Sequence, residues 1–492
     1  MNEPRFYELR WLDAAGAVTG SLAIDLLNAP SPLADVVERI AGAAACAATD
    51  RRLRTRLVPA PAAGAPVRPV TDYLWGDGAM NGERLRRHLT AVAAGQRPHR
   101  FTLRTGVPAE GCDLVGRQGV VADACALLSG GKSLHLMAPR RYGKTSLLRA
   151  IAEELRRRQR PVVLLEVESL DRIGTLAVQL AAQALRDGVD SLRVLPGLGA
   201  WPPADAAPSA VMSARDGLLE QIRPRPEAFL AEVAGGLADA GAAVLLDEFS
   251  RFLFGALAGD ERELRRGLAR LRGGREGGRG PDLVVAGSSG LRKLIAWHDL
   301  EAALGDLEPL ALEPLSPQEA AVLVEELFYG HDRPPTQQGV HAVLDAVGVP
   351  IPYFLQALVH HALAEHAREI IPSVGPAPPV TPATVDRAYR RRLLDAEGNE
   401  FFRPFRLRER GYPDALRPAA AAVLARLAVA TGLVSRDRLR AACPGASDAQ
   451  FETLLAWLHE DYDVGAEGAE LFLRSKVLRE RWALREAWLT EI

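Results

Sequence analysis

The run that most constrains this chain is Ser-Leu-His-Leu-Met-Ala-Pro-Arg-Arg-Tyr-Gly-Lys-Thr-Ser-Leu-Leu, at residues 133–148. Ser133–Met137 reads as a short apolar strand, and the helix starting at Lys144 carries an apolar stripe of Leu147, Leu148 and Ile151. A strand that feeds a helix through a tight loop is half of a βαβ unit, so it predicts a parallel sheet covered by helices. Val162–Val167, Ala242–Leu246 and Leu283–Ala286 have the same near-continuous apolar character. That character belongs to strands buried on both faces. The expected fold class is therefore α/β, with a parallel-sheet core.

The loop inside that run has chemistry of its own. Residues 138–146 are Ala138, Pro139, Arg140, Arg141, Tyr142, Gly143, Lys144, Thr145 and Ser146. Backbone N–H groups at the start of a helix form a cradle for phosphate, and Gly143 permits the close approach. Lys144 is placed to bridge β- and γ-phosphate oxygens, and the Thr145 hydroxyl to ligate Mg²⁺. The usual pattern opens on glycine, where this chain has Ala138.

Mg²⁺ prefers hard oxygen ligands, so a carboxylate is expected at the end of a neighbouring strand. Ala242–Leu246 runs directly into Asp247-Glu248. Asp247 is assigned to the metal or its water, and Glu248 to the attacking water as general base. The strand ending at Ala286 continues into Gly287-Ser288-Ser289, where Ser288 or Ser289 would sense the γ-phosphate. Arg292, on the next predicted helix, reads as a solvated arginine rather than a finger that reaches a neighbouring site.

A chain of 492 residues is too long for a single core. Residues 4–27 read as a β-hairpin, 32–49 as a helix, and the Pro/Ala-rich 58–70 as a linker, giving an N-terminal α+β module over 1–105. The core is placed at 106–312, with the proline-rich stretch 192–210 as an insertion loop. Apolar-periodic helices from about 316 to 366 form a helical region over 313–411, which contains a Pro-rich break at 372–382. Over 412–492 the order is three helices (418–430, 435–442, 447–459) and a hairpin at 461–473, the order of a winged helix. Cys46, Cys112, Cys125 and Cys443 show no metal spacing, and no segment has the length and hydropathy of a membrane span or a signal peptide. The expectation is a cytoplasmic protein without a membrane partner.

Taken together, Val115-Gly116-Arg117, the loop, Leu-Leu-Asp-Glu-Phe at 245–249 and Ala-Gly-Ser-Ser at 286–289 resemble the archaeal-type P-loop ATPases of the AAA+-related STAND class. The resemblance extends through Glu313–Ser316, Gly348–Gln356, Val385–Tyr389 and the closing Phe472–Trp482, covering roughly 110–490. It implies an AAA+-like core, a helical lid over 313–411 and a C-terminal winged helix, with ATP and Mg²⁺ as cofactors. It further implies that Val115 and Arg117 lie near the adenine, and that Pro350 or Pro352 is the lid contact. Such proteins resemble slowly hydrolysing switches that recruit a protein effector or assemble into homo-oligomers in the ATP state.

A winged helix that reads DNA needs cations on its third helix and hairpin. From Ala446 to Glu470 there is no Lys or Arg, but there are Asp448, Glu452, Glu460, Asp461, Asp463, Glu467 and Glu470. The chain as a whole carries 60 basic and 62 acidic residues, a formal charge of −2. Both observations disfavour a phosphate backbone as the partner and favour a protein. Arginine clusters at 51–56, 390–392 and 403–410 keep a DNA-directed ATPase open as an alternative, and a nucleotide-binding scaffold with little turnover is a further one.

Overall fold

A computed structural model describes the strands at 6–12, 18–25, 54–59 and 72–74 by their backbone, and the chain from residue 101 to 490 apart from short segments. Those segments are 106, 111–112, 204, 274–279, 288–290, 292–294, 296–297, 332, 334, 370–378, 396–399, 404–415, 431 and 463. The chain divides into two units: Met1–Leu103 with Glu325–Gln338 and Ile370–Thr381, and Arg104–Val324 with Gly339–Glu369 and Pro382–Ile492.

In the first unit, β1 (Phe6–Leu12) and β2 (Val18–Asp25) form the expected antiparallel hairpin, with Phe6 opposite Asp25. Two further strands, β3 (Arg54–Pro59) and β4 (Asp72–Leu74), extend the sheet to the order β2-β1-β3-β4. The helix expected at 32–49 and most of the linker expected at 58–70 lie outside the described residues.

The second unit holds a five-stranded, wholly parallel sheet of order β6-β7-β8-β5-β9. Its strands are β5 (Leu134–Met137), β6 (Val162–Glu166), β7 (Ala243–Asp247), β8 (Asp282–Gly287) and β9 (Glu308–Ala311). All five residues of β7 are buried, as its unbroken apolar run requires. β9 escaped the sequence reading because Pro309 interrupts it; as an edge strand it tolerates a residue that cannot donate to the ladder.

Helices cover the sheet: α1 (Gln118–Ser129), α2 (Lys144–Arg157), α3 (Ile173–Arg186), α4 (Pro208–Ile222), α5 (Pro226–Asp239), α6 (Phe249–Gly259) and α7 (Glu261–Gly273). Leu147, Leu148, Ile151 and Leu155 are the buried stripe of α2. Each such side chain contributes ~1.5–3 kcal/mol by leaving water.

The stretch expected to be an insertion loop is a built part of the core instead. Leu192, Leu195, Leu198 and Trp201 are buried in the cluster that includes Val163, Val244 and Leu283. The N–H groups of 195, 198 and 201 each bond the carbonyl three residues back, a period-three coil that puts every third side chain inward. Its prolines suggested a loop only because they forbid longer helix, and α4 then opens on Pro208.

Further along lie α8 (Pro317–Gly330), α9 (Gln337–Val347), α10 (Pro352–Glu369) and α11 (Pro382–Ala388), the last continuing into a π-helical turn at Tyr389–Leu393. The C-terminal part runs α12 (Arg417–Val429), β10 (Val434–Ser435), α13 (Arg436–Ala441), α14 (Asp448–Tyr462), β11 (Val464–Glu467), β12 (Glu470–Leu473) and α15 (Lys476–Thr490). Its three strands order as β10-β12-β11. Among the described residues no helix is long and apolar enough to cross a membrane.

Candidate functional site

Because all five strands are parallel, their carboxyl ends share one edge of the sheet, the edge where open α/β folds bind ligands. Met137 ends β5 opposite Gly287 of β8, and β7, on the other side of β8, ends at Asp247. The loop 138–143 leaves β5 and turns into α2 at Lys144. Arg141 (φ 71°) and Gly143 (φ 99°) are both left-handed. Alternation of this kind turns backbone N–H groups into a concave row that suits an anion. The φ of Gly143 is costly for any residue with a Cβ.

Lys144 is buried, and its ammonium donates to the carbonyls of Ala138 (2.8 Å) and Pro139 (3.0 Å). The Thr145 hydroxyl donates to Asp247 Oδ2 at 2.5 Å. Asp247 is itself buried, and its pKa is raised, chiefly by burial and also by the neighbouring Glu248; the Thr145 hydroxyl, the Glu248 N–H and Lys144 oppose the rise. A carboxylate desolvated in this way is one that a cation would stabilise. Glu248 takes a left-handed backbone (φ 55°), gives its N–H to Asp247 Oδ1 at 2.9 Å, and lines the same pocket as the loop.

Ser146, next along α2, accepts the Ala109 N–H at 2.9 Å, which draws the segment preceding α1 against the loop helix. Arg149 and Glu110 pair beside that contact. Arg117 is 4% exposed and donates to the Tyr142 carbonyl at 3.4 Å, joining Val115–Arg117 to the loop. Burial lowers the Arg117 pKa, and Glu319 and Glu313 counter it. Glu319 also caps α8: its carboxylate accepts the Ser316 N–H at 2.8 Å, and Ser316 Oγ accepts the Glu319 N–H at 3.2 Å. Gly116 (φ 71°) lies so close that a Cβ there would sit 2.6 Å from Glu319 Cδ.

One pocket gathers the loop, Glu248 and Arg117. Its polar end is formed by Arg140, Arg141, Tyr142, Gly143, Lys144, Thr145, Ser146 and Glu248. The rest has an apolar wall of Val107, Pro108, Leu114, Val115, Leu315, Leu323 and Pro352, with Arg104, Asp113 and Arg117. Of Pro350 and Pro352, the second lines this pocket, whereas the Pro350 carbonyl accepts the Leu315 N–H at 3.1 Å. Ala138 contributes its carbonyl to Lys144. Ser288, Ser289 and Arg292 lie outside the described residues.

Sequence reasoning missed Tyr353 and Gln356, which follow Pro352 on α10 and also line the pocket. Their proximity to Pro352 was the available signal. The Gln356 carboxamide oxygen accepts the Arg104 N–H, and Arg104 pairs with Asp113 at 3.0 Å.

The donor set fits a small hard dication bound together with a polyphosphate. One hydroxyl and one carboxylate converge, and Mg²⁺ completes such a shell with phosphate oxygens and water. Among the described residues no group of three or more His, Cys, Asp or Glu is placed to hold a metal by protein ligands alone.

No family model matches the chain by sequence, and no curated protein does so either. Solved structures do resemble it. The Walker-type ATPase of Pyrococcus abyssi matches at a TM-score of 0.51 and 16% identity, covering 78% of this chain and 98% of its own. The ORC2 protein of Aeropyrum pernix, in ADPNP and ADP complexes, matches at 0.46 and 13%, covering 79% and 100%. The RuvB Holliday junction branch migration motor of Thermotoga maritima matches at 0.38 and 13%, covering 73% and 92%. The first of these shows the fold: the chain has an α/β P-loop core with a parallel five-stranded sheet, like that structure.

Proposed function

We propose that the chain binds ATP with Mg²⁺, hydrolyses it slowly, and works as an AAA+/STAND-type switch that couples nucleotide state to a protein effector or to self-assembly. The observation that carries this reading is the Thr145 hydroxyl against the buried Asp247 carboxylate, one residue from Lys144 and one from Glu248. Two acidic residues at the end of a strand are common, but a buried one bonded to the threonine of a phosphate loop has a specific use.

Bound by Thr145 and Asp247, Mg²⁺ would neutralise charge on the phosphate chain. The loop amides and Lys144 hold the phosphates, and Lys144 exchanges two carbonyl acceptors for phosphate oxygens. Glu248 takes a proton from the attacking water. Val115, Pro352 and the adjoining apolar wall hold the base, while Arg117 ties that wall to the loop.

In this reading residues 313–411 are the lid, 412–492 a winged helix and 1–105 a module of unassigned role, all in a cytoplasmic protein. Contacts within the second unit favour coupling between lid and C-terminal part. Tyr353 and Phe354 of α10 face Phe401 and Phe402, and the Arg481 guanidinium of α15 lies 5.1 Å from the Phe402 ring centre. Tyr389 donates to Glu480 of α15 at 2.9 Å. The acids of α14 favour a protein partner over DNA, and the nearest arginines are already engaged: Arg440 pairs with Asp448 at 2.9 Å and Arg436 pairs with Glu452. Arg390 and Arg392 likewise pair with Asp386 and Glu365.

Titration with ATP and Mg²⁺, followed by phosphate release, tests the reading. Lys144→Ala is expected to lose ATP binding, and Glu248→Gln to keep it while losing turnover by about 10²-fold or more. ATP affinity unchanged in Lys144→Ala would refute the nucleotide site. Turnover unchanged in Glu248→Gln would remove Glu248 as the base.

A further inference from the structure

Five cations line the pocket, and four of them are engaged within the protein. Arg104 pairs with Asp113, Arg117 donates to the Tyr142 carbonyl, Lys144 donates to two carbonyls, and Arg140 is engaged as well. Arg141 differs. Among the described residues its guanidinium makes no hydrogen bond or ion pair, and its Nε, like that of Arg140, is buried without an acceptor. The guanidinium lies instead on the ring of Tyr353, 4.5 Å from the centroid. Tyr353 is fixed in turn: its hydroxyl donates to the Phe401 carbonyl at 3.0 Å, and its ring packs on Phe401.

A guanidinium keeps its charge at any working pH and presents five N–H donors in a planar fork. Stacking on an aromatic face occupies the π surface of the group and leaves the in-plane donors available. Such donors, half-buried at the phosphate end of a pocket, have a strong need for an anionic acceptor. The left-handed backbone at Arg141 sets the direction of the side chain, and the ring of Tyr353 supplies its seat.

Building on the nucleotide reading above, we propose that Arg141 is a phosphate clamp whose geometry is set by Tyr353, so that a lid residue positions a phosphate ligand. Tyr353 is then a positioning residue: it touches no phosphate itself, and it makes the grip on the phosphate chain depend on where α10 sits.

The test measures affinities of the full-length protein for ATP and for inorganic tripolyphosphate, both with Mg²⁺. Arg141→Met and Tyr353→Leu are each expected to weaken both ligands about tenfold or more, the size of a charge-assisted bond removed from a sheltered site. Tyr353→Phe keeps the ring and is expected to stay within about threefold of wild type. The double variant Arg141→Met/Tyr353→Leu is expected to bind about as weakly as the worse single variant, because both remove one interaction.

Either single variant binding both ligands as well as wild type, or losses that multiply in the double variant, would overturn the proposal. A tyrosine that only walled the base would weaken ATP and leave tripolyphosphate unchanged, which also overturns it. Arg141→Met breaks no hydrogen bond and decides the clamp by itself should Tyr353→Leu fail to fold. If Lys144→Ala loses ATP while Arg141→Met does not, the clamp alone is wrong. If Lys144→Ala binds ATP normally, the nucleotide reading falls with it.

Discussion

The Thr145 hydroxyl and the Asp247 carboxylate, 102 positions apart in the chain, meet at 2.5 Å at the end of the sheet. Burial there raises the Asp247 pKa. A carboxyl whose folded pKa lies above its unfolded value of about 4 binds its proton more tightly in the folded state. Its contribution to stability is present below the unfolded value and is lost as pH rises through the folded one. Asp247→Asn removes that loss. The nucleotide-free variant is expected to be more stable than wild type by about 1 kcal/mol at neutral pH, with the advantage shrinking as pH falls toward 4. Thermal melts across pH check this. Added Mg²⁺ and ATP are expected to reverse the order if Asp247 holds the metal as proposed, because only wild type keeps that carboxylate.

Gly143→Ala isolates a purely conformational cost. A Cβ at Gly143 meets nothing within 4 Å, so only the φ of 99° opposes it. The expected loss is about 1–2 kcal/mol in urea unfolding, with the loop distorted and ATP bound more weakly. Unchanged stability and affinity would mean that the loop takes another path.

Gly116→Ala has a steric cost as well. The new methyl collides with Glu319, which caps α8 and faces Arg117. A loss of about 1–3 kcal/mol is expected. Because the clash is with a side chain, Glu319→Ala in the Gly116→Ala background should cost less than it does in wild type. A double-mutant cycle reads that coupling directly.

Tyr389→Phe tests the joint between the π-helical turn and α15. Burial, and next the Glu480 carboxylate, push the Tyr389 hydroxyl pKa well above its ordinary range, so it stays a donor through neutral and mildly alkaline pH. Its removal leaves Glu480 with one donor fewer and is expected to cost about 1–2 kcal/mol in chemical unfolding, with no pH dependence over that range.

Much of this was legible because the apolar runs 133–137, 162–167, 242–246 and 283–286 report burial on both faces, and a loop between strand and helix leaves few geometries. β9 was not legible: four residues containing Pro309 have no periodicity, and their place is set by pairing with β5. The segment around Leu192–Trp201 was misread because a period of three fits neither the helix nor the strand template. In the pocket, the residues contiguous with the loop could be found by motif. Tyr353 and Gln356 could not, and neither could Glu319 beside Gly116, since each acts through a partner at least 200 positions away. Pro350 and Pro352 are indistinguishable in sequence, and only the turn into α10 separates them, by pointing one at the pocket and the other at Leu315.

The position of β8 between β5 and β7 has a consequence for how the protein is made. During synthesis the loop at 138–145 emerges first and its carboxylate about a hundred residues later, but the strand that sets their spacing comes last, at Asp282–Gly287. No shorter nascent chain can hold the two groups at their working separation, because parallel neighbours require every intervening crossover. If the site takes nucleotide as proposed, the ligand would select for completed chains, since a site assembled from all three strands adds its binding energy to the stability of those chains alone.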